Sequence, residues 1–430
     1  MENPYFSTRL SNGLEVRLKE IRTAPIISHW VWYRVGSRNE HPGITGISHW
    51  VEHMQFKGTP KFPPGVLDRV ISREGGQWNA FTYLDWTTFF ETLPAEKIDI
   101  ALELEADRMV NSRFDPDEVN SERTVIISER EGNENDPLFR LGEKIQSSAY
   151  KKHAYHHEII GDKKDLRKIT RDQLYSHYKT HYGPNNAVLA IAGDFSIEDI
   201  LPRIEAVYGG ISPIALDHGK IEMEPPAAGE QRVTVSGAGE TTFLQVAYRS
   251  PAASNPDFFA FTIVDSLLTG PTGLNMFGGG GISNKTSRLY RALVERGLVV
   301  SVNGGLQATI DPFLYDMTIT VHPDHTPDEV LSALDDEIER IQEETVAPEE
   351  IARATKQARA LFAYGSENIT NQAFWLGYAE MFAAYEWFTS YVDRLAAISS
   401  QDVQTIAQTY LQPQNRVVGI YQPRKGGKTA

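Results

Sequence analysis

The sequence predicts an α+β protein built from two copies of one αβ module. Three observations carry that expectation. Strand-like and helix-like segments alternate along the 430-residue chain, which is longer than one ordinary domain. The pattern lapses near the middle, in a stretch holding Pro225-Pro226 and Gly229. Landmarks before the lapse also recur after it in the same order. V-W-Y-R-V at 31–35 matches V-A-Y-R-S at 246–250, and D-P-D-E-V at 115–119 matches A-P-E-E-I at 347–351. The expected boundaries are a domain at 1–215, a linker at 216–230 and a homologous domain at 231–430.

The elements follow in order. Segments 6–10 and 14–18 flank S-N-G, a turn signal, and read as strands. Residues 26–35 are rich in Val, Ile and aromatics and read as a third strand. After a loop with Gly36, Pro42 and Gly43, residues 44–56 read as a largely buried helix, and 64–74 as another. The stretch W-N-A-F-T-Y-L-D-W-T-T-F-F-E-T-L at 78–93 reads as one long strand interrupted by an aspartate. Residues 95–111 have helical spacing behind Pro94. Asp115-Pro116-Asp117-Glu118 combines an Asp cap, a first-turn proline and acids at the positive helix end, so a helix should run from there to about 133. N-A-V-L-A-I-A-G-D-F at 186–195 reads as a buried strand ending in a Gly-Asp turn.

Composition narrows the function classes. The formal charge is -15, from 57 acidic and 42 basic residues, which disfavours nonspecific nucleic-acid binding. With no cysteine, disulfides, thiolate metal sites and cysteine nucleophiles are excluded. No apolar run has the length of a bilayer span, and M-E-N-P-Y-F-S-T-R-L lacks the form of a signal peptide. The expectation is a soluble cytoplasmic protein without membrane or nucleic-acid partners.

The chemistry concentrates in S-H-W-V-E-H-M at 48–54. On a helix His49 and His53 are four apart and share a face, so both imidazoles can reach one ion. Glu52 borders that face slightly aside, which suits a residue that holds an attacking water without occupying a ligand position. The order H-x-x-E-H inverts the commoner H-E-x-x-H. The plain alternative is a helix with two half-buried histidines. A catalytic zinc also needs a third protein ligand. The helix beginning at Asp115 offers Glu118, Glu122, Glu129 and Glu131; Glu122 and Glu129 are seven apart and share a face, beside Val125, Ile126 and Ile127. Spacing alone does not choose between them.

At these residues the sequence resembles the pitrilysin-type (inverzincin, M16) metallopeptidases, in the branch of the mitochondrial processing peptidase subunits and their bacterial relatives. The resemblance spans L-S-N-G-L, V-G-S-R-N-E, H-W-V-E-H-M-Q-F-K-G-T, G-G-Q-W-N-A-F-T, G-P-N-N-A-V-L-A-I-A-G-D-F and S-R-L-Y-R-A-L-V-E-R-G-L, most of the chain. It implies Zn2+ held by His49, His53 and Glu129, with Glu52 as general base and Glu122 supporting the site. It implies two homologous LuxS/MPP-like αβ domains, each a mixed sheet backed by helices, arranged as a clamshell half around a cavity. A peptide substrate would lie along W-N-A-F-T, at Asn79 and Ala80.

The second half departs from the pattern. The helix after V-A-Y-R-S reads F-F-A-F-T-I-V-D-S-L-L, without histidine, and Ala354 and Leu361 fall opposite Glu122 and Glu129. Relatives carry an arginine and a tyrosine near L-R-E-x-x-G-L-A-Y-S-V; here L-V-E-R-G-L-V-V-S-V puts Val300 at the tyrosine and Leu293 or Val294 at the arginine, with Arg296 nearby. The implied assembly is a heterodimer with a zinc-free paralogue, or else a homodimer. Gly278, Gly279, Gly280 and Gly281 precede Lys285-Thr286 without phosphate-loop spacing and resemble the substrate-recognition loop of the non-catalytic processing-peptidase subunit. The function expected is zinc endopeptidase action on peptides or unfolded segments. The alternative is a non-catalytic structural or binding subunit, like the respiratory-complex core subunits of this fold. His153, His156 and His157 are expected at the surface.

Overall fold

The computed structural model describes residues 5–216, 219, 221–274 and 282–424. The four glycines at 278–281 lie outside the described residues.

The first half opens with β1 (Phe6–Arg9) and β2 (Glu15–Glu20), joined at S-N-G. Gly13 supplies the left-handed corner (φ +91°), and the Asn12 side-chain oxygen Oδ1 accepts the Leu14 N–H at 3.2 Å. Then come β3 (Ile26–Tyr33), α1 (Ile47–Met54), α2 (Val66–Arg73), β4 (Gln77–Thr82) and β5 (Thr87–Pro94). The long strand expected at 78–93 is thus a hairpin. Its turn is closed by Tyr83 N–H donating to Trp86 O at 2.8 Å, and the interrupting Asp85 lies within the turn. There follow α3 (Ile98–Asn111), α4 (Pro116–Asn133), α5 (Pro137–Ala149), the short α6 (Lys163–Leu166), α7 (Arg171–His181), β6 (Ala187–Gly193) and α8 (Ile197–Tyr208). The second half contains β7 (Gln231–Gly237), β8 (Phe243–Arg249), α9 (Asp257–Leu268), β9 (Val299–Gly305) and β10 (Leu314–Val321). It continues through α10 (Pro327–Glu343), α11 (Pro348–Tyr364) and α12 (Ile369–Phe382), then short helices, to β11 (Arg416–Pro423).

Two sheets result. The first runs β1-β2-β6-β3-β5-β4 and the second β7-β11-β8-β10-β9. In each, one pair is parallel (β2 with β6, β7 with β11) and the remaining pairs are antiparallel. Without β1, the first order maps strand for strand onto the second. This is the duplication seen in the sequence, written in topology.

The chain forms two compact units, and they do not follow the halves of the sequence strictly. One comprises 1–131, 157–222 and 366–388; the other comprises 132–156, 223–365 and 389–430. Each sheet is therefore backed by a helix from the opposite half: α12 on β3 and β6, and α5 on β7 and β11. A glycine makes each approach possible. A Cβ at Gly377 of α12 would lie 2.1 Å from Trp32 Nε1, and one at Gly419 of β11 would lie 2.5 Å from Ile145 of α5. Polar contacts fasten α12 further: Arg17 Nε donates to Glu380 at 3.0 Å and Lys19 to Gln372 at 2.6 Å. No helix among the described residues is long and apolar enough to cross a membrane.

Candidate metal centre and active site

The first unit positions its polar helix through a tightly bonded approach loop. Gly46 enters α1 in the left-handed region (φ +86°), where its backbone passes so close to Ile160 O that a Cβ would sit 2.4 Å away. No side chain of the preceding residue caps the helix. Instead, buried Glu40 accepts from Gly46 N–H at 2.7 Å and Ser48 N–H at 2.9 Å, and pairs with His157 Nε2 at 2.8 Å. Asp165 accepts from Gly43 N–H and from the Thr45 hydroxyl. Sequence reasoning missed both anchors: Asp165, and the His157 that pairs with Glu40, lie more than a hundred residues from the loop they fasten, while Glu40 itself reaches six and eight residues along the chain. G-S-R-N-E at 36–40, immediately before the helix, is the one local hint of Glu40.

On α1 the His49 and His53 ring centroids are 4.5 Å apart. Glu129 of α4 faces both, with carboxylate oxygens 3.9 Å from His49 Nε2 and 3.7 Å from His53 Nε2. These contacts are too long for hydrogen bonds. They are near what a shared ion demands, since ligands about 2 Å from zinc stand roughly 3–3.5 Å apart. Among the described residues, His49, His53 and Glu129 alone bring three such ligand atoms within 4.8 Å of one another. Burial, helped by the neighbouring His53, holds His49 neutral, its pKa pushed down to about 3. Its Nδ1 is buried without a hydrogen-bond partner. The donor set fits a zinc ion: neutral imidazoles plus one carboxylate.

Glu122, one of the two glutamates left open by spacing, takes a different place. It is buried, and its carboxylate pairs with His53 Nδ1 at 2.8 Å and Lys57 Nζ at 2.5 Å. Burial opposes its charge, but the bonds from His53 and Lys57 prevail and lower its pKa. Holding Nδ1, it orients the ring so that Nε2 faces Glu129, the role of a carboxylate behind a metal-ligating histidine. Glu118 and Glu131 are not in the ligand cluster.

Glu52 lies on the same helix with 7% exposure, and Thr82 of β4 donates to it at 2.6 Å. Burial pushes its pKa up to about 7, against the lowering effect of the Thr82 hydrogen bond. A carboxyl poised near neutrality suits proton transfer in both directions. Thr82 ends β4, which is the outer strand of the first sheet. Along it, the Asn79 side-chain carbonyl accepts the Ala80 N–H at 2.9 Å. The free edge of β4 leaves backbone groups for an added strand.

Among its described residues the second unit carries no such ligand cluster. All of α9 except its first residue, Asp257, is buried, and Ala354 and Leu361 on α11 are buried apolar residues. Val300 on the outer strand β9 is 59% exposed, Leu293 is buried and Arg296 is exposed. The surface placement expected for three histidines is corrected. His153 and His157 are buried, His153 pairing with Asp311 at 3.0 Å, and His156 is half-buried. Each buried imidazole has a carboxylate partner, which makes its burial tolerable.

The sequence of this chain matches the insulinase (peptidase family M16) model over residues 15–163. It matches the peptidase M16 inactive-domain model over 168–358. The chain belongs to the M16 peptidase family. It is 24% identical to an uncharacterized zinc protease of Streptomyces coelicolor over 98% of this chain and 91% of that protein. It is 30% identical to a zinc protease of Helicobacter pylori over 61% of this chain and 60% of that protein. A probable mitochondrial-processing peptidase subunit beta of Arabidopsis thaliana is 27% identical over 63% of this M16 chain and 51% of its own length. In fold, the chain is similar to a protease from Helicobacter pylori (TM-score 0.89, 24% identity, 98% of this chain and 100% of that one). A putative M16-like peptidase from Alicyclobacillus acidocaldarius is also similar (TM-score 0.84, 22% identity, 99% and 100%).

Proposed function

We propose that this M16 chain is a zinc-dependent endopeptidase that hydrolyses peptides or unfolded segments. The convergence of His49, His53 and Glu129 on one point, with Glu52 beside it, carries the reading. Zinc bound there would acidify a water and polarise the scissile carbonyl. Glu52 takes the proton from the attacking water and later delivers it to the leaving nitrogen. Thr82 keeps its carboxylate aimed. Glu122 holds the His53 ring. The edge of β4 binds an extended substrate through backbone pairing, which demands little of side chains and explains a preference for unfolded segments.

Val300 in place of a tyrosine supports a dimer in which a zinc-free paralogue supplies the missing arginine and tyrosine. The same residue favours the second reading, a non-catalytic subunit, which the intact polar set on α1 and α4 opposes. The test is to purify the chain, measure bound zinc, and assay a quenched peptide library with and without the product of a paralogous gene. One zinc per chain is expected, with cleavage lowered by about 10²–10⁴ in Glu52→Gln while zinc is kept. Cleavage untouched by that substitution would sink the mechanism. Activity that requires the paralogue would support the heterodimer over the homodimer.

A further inference from the structure

A second histidine pair stands behind α1, in the same unit. His177 and His181 are four apart on α7, and their ring centroids are 4.5 Å apart, the separation found for His49 and His53. Both side chains are 8% exposed. They line a cavity of about 380 Å³ together with His41, Asn39 and Gln173. The catalytic reading uses none of these groups.

The bonding of His177 fixes its tautomer. Ser48 Oγ donates its proton to Gly36 O at 3.1 Å. The contact of 3.1 Å between Ser48 Oγ and His177 Nε2 must then be Nε2–H donating to the hydroxyl oxygen. Nδ1 of His177 is left with its lone pair. This is the arrangement of His53 with the nitrogens exchanged: one ring nitrogen is held by a neighbour and the other is free for an ion. Burial, with His181 and His41 adding repulsion, keeps His177 neutral, so no proton competes for that lone pair near pH 7. Among the described residues no carboxylate lines the cavity, which is framed by imidazoles, amides and hydroxyls together with Ile44, Ile47 and Gly219. That chemistry disfavours calcium and magnesium and suits an imidazole-preferring ion of the late first transition row.

We propose that His177 and His181, with His41 as third ligand, form a second metal site that takes a divalent transition ion such as Ni2+, Cu2+ or Zn2+. The set is looser than the first, for its donors do not fall within 4.8 Å of one another. His41 is exposed on the loop before α1 with its Nδ1 3.1 Å from Pro42 O, and it would close the shell by turning its ring away from that carbonyl. Binding is accordingly weaker than at His49, His53 and Glu129, and the site fills when the ion is in excess.

The test uses the full chain carrying His49→Asn and His53→Asn, which removes the first site, and titrates Ni2+ by calorimetry. One ion per chain is expected. Adding His181→Asn should weaken binding by at least about tenfold, and His41→Ala should also weaken it. His181→Asn is paired with a thermal melt, and His41→Ala on the exposed loop serves as the variant that leaves packing alone. No Ni2+ bound by the folded His49→Asn/His53→Asn protein would overturn the proposal. So would binding that neither further substitution weakens.

Discussion

The two sheets of this protein are one design carried out twice, and among the described residues only one copy carries a cluster of metal-ligating side chains. Both units place a helix after the same strand, a long helix further along, and an outer strand at the end of the sheet. In the first unit these elements carry His49, Glu52 and His53 on α1, Glu122 and Glu129 on α4, and Thr82 on β4. In the second, the corresponding α9 is buried from Phe258 to Leu268, and α11 presents Ala354 and Leu361. The lesson is that the scaffold does not need the site. In the second copy the sheet is backed by a helix that offers no imidazole at that position. The polar α1 instead requires Glu40, Asp165 and Glu122 to satisfy the backbone and side-chain groups it brings with it.

The largest effect should come from making the first unit resemble the second. Glu129 is 42% exposed at its side chain, so Glu129→Leu should change folding stability by no more than about 0.5 kcal/mol. Cleavage and zinc content should nevertheless collapse, with metal affinity falling by more than about a hundredfold. Elemental analysis and a urea titration on the same sample check both parts. Loss of zinc together with loss of folding would mean that the ion is structural.

That contrast also marks how far the sequence could be read. The spacing of His49 and His53, and the cap at Asp115, are local facts, so α1 and α4 could be read directly. The choice between Glu122 and Glu129 could not, since both lie on one helical face; only the fold shows one against Lys57 and the other opposite two Nε2 atoms. The exchange of α5 and α12 was equally hidden. Amphipathic spacing states that a helix buries a face, but not against which sheet. The glycines that admit these helices, Gly377 and Gly419, act through neighbours hundreds of residues distant. The hairpin at β4 and β5 was missed because Y-L-D-W lacks the usual Gly or Asn turn residues.

The converse substitution should fail instructively. Leu361 is 6% exposed on α11, which packs against α9. Leu361→Glu should destabilise the protein by about 2–4 kcal/mol, as an unpaired carboxylate enters an apolar contact. It should gain no metal, because α9 offers no imidazole. A denaturant titration with zinc analysis reads both. Unchanged stability would show that the second unit tolerates polar groups as readily as the first.

A smaller and pH-dependent difference belongs to Asp265, the buried acid of α9. Burial pushes its pKa from 3.8 up to about 6, against the Thr269 hydroxyl that donates to it at 2.6 Å. The native state thus keeps this proton to higher pH than the unfolded chain does. Its contribution to stability is full below about pH 4 and is lost as pH rises through about 6. Asp265→Asn keeps an acceptor for Thr269 and removes the titration. Relative to the parent, the variant should gain stability between those limits, by about 3 kcal/mol at most. Urea midpoints at pH 4, 5, 6 and 7 measure it. Parallel curves for parent and variant would show that Asp265 does not titrate in this window.

The smallest effect separates the two outer strands. If β4 receives substrate and β9 does not, a change to backbone presentation on β4 should alter binding alone. Asn79 holds the Ala80 N–H through its side chain, and truncating it loosens a strand whose bonds are worth about 0.5–1.5 kcal/mol each. Asn79→Ala should therefore raise KM by roughly 2- to 12-fold and leave kcat unchanged, the signature of binding shared equally by ground and transition states. Val300→Ala on exposed β9 should change neither constant. Steady-state kinetics on one quenched peptide decides between them. Equal responses from the two strands would mean that the edge of the polar copy is no more a substrate strand than the edge of the apolar one. Recognition would then rest on groups outside both.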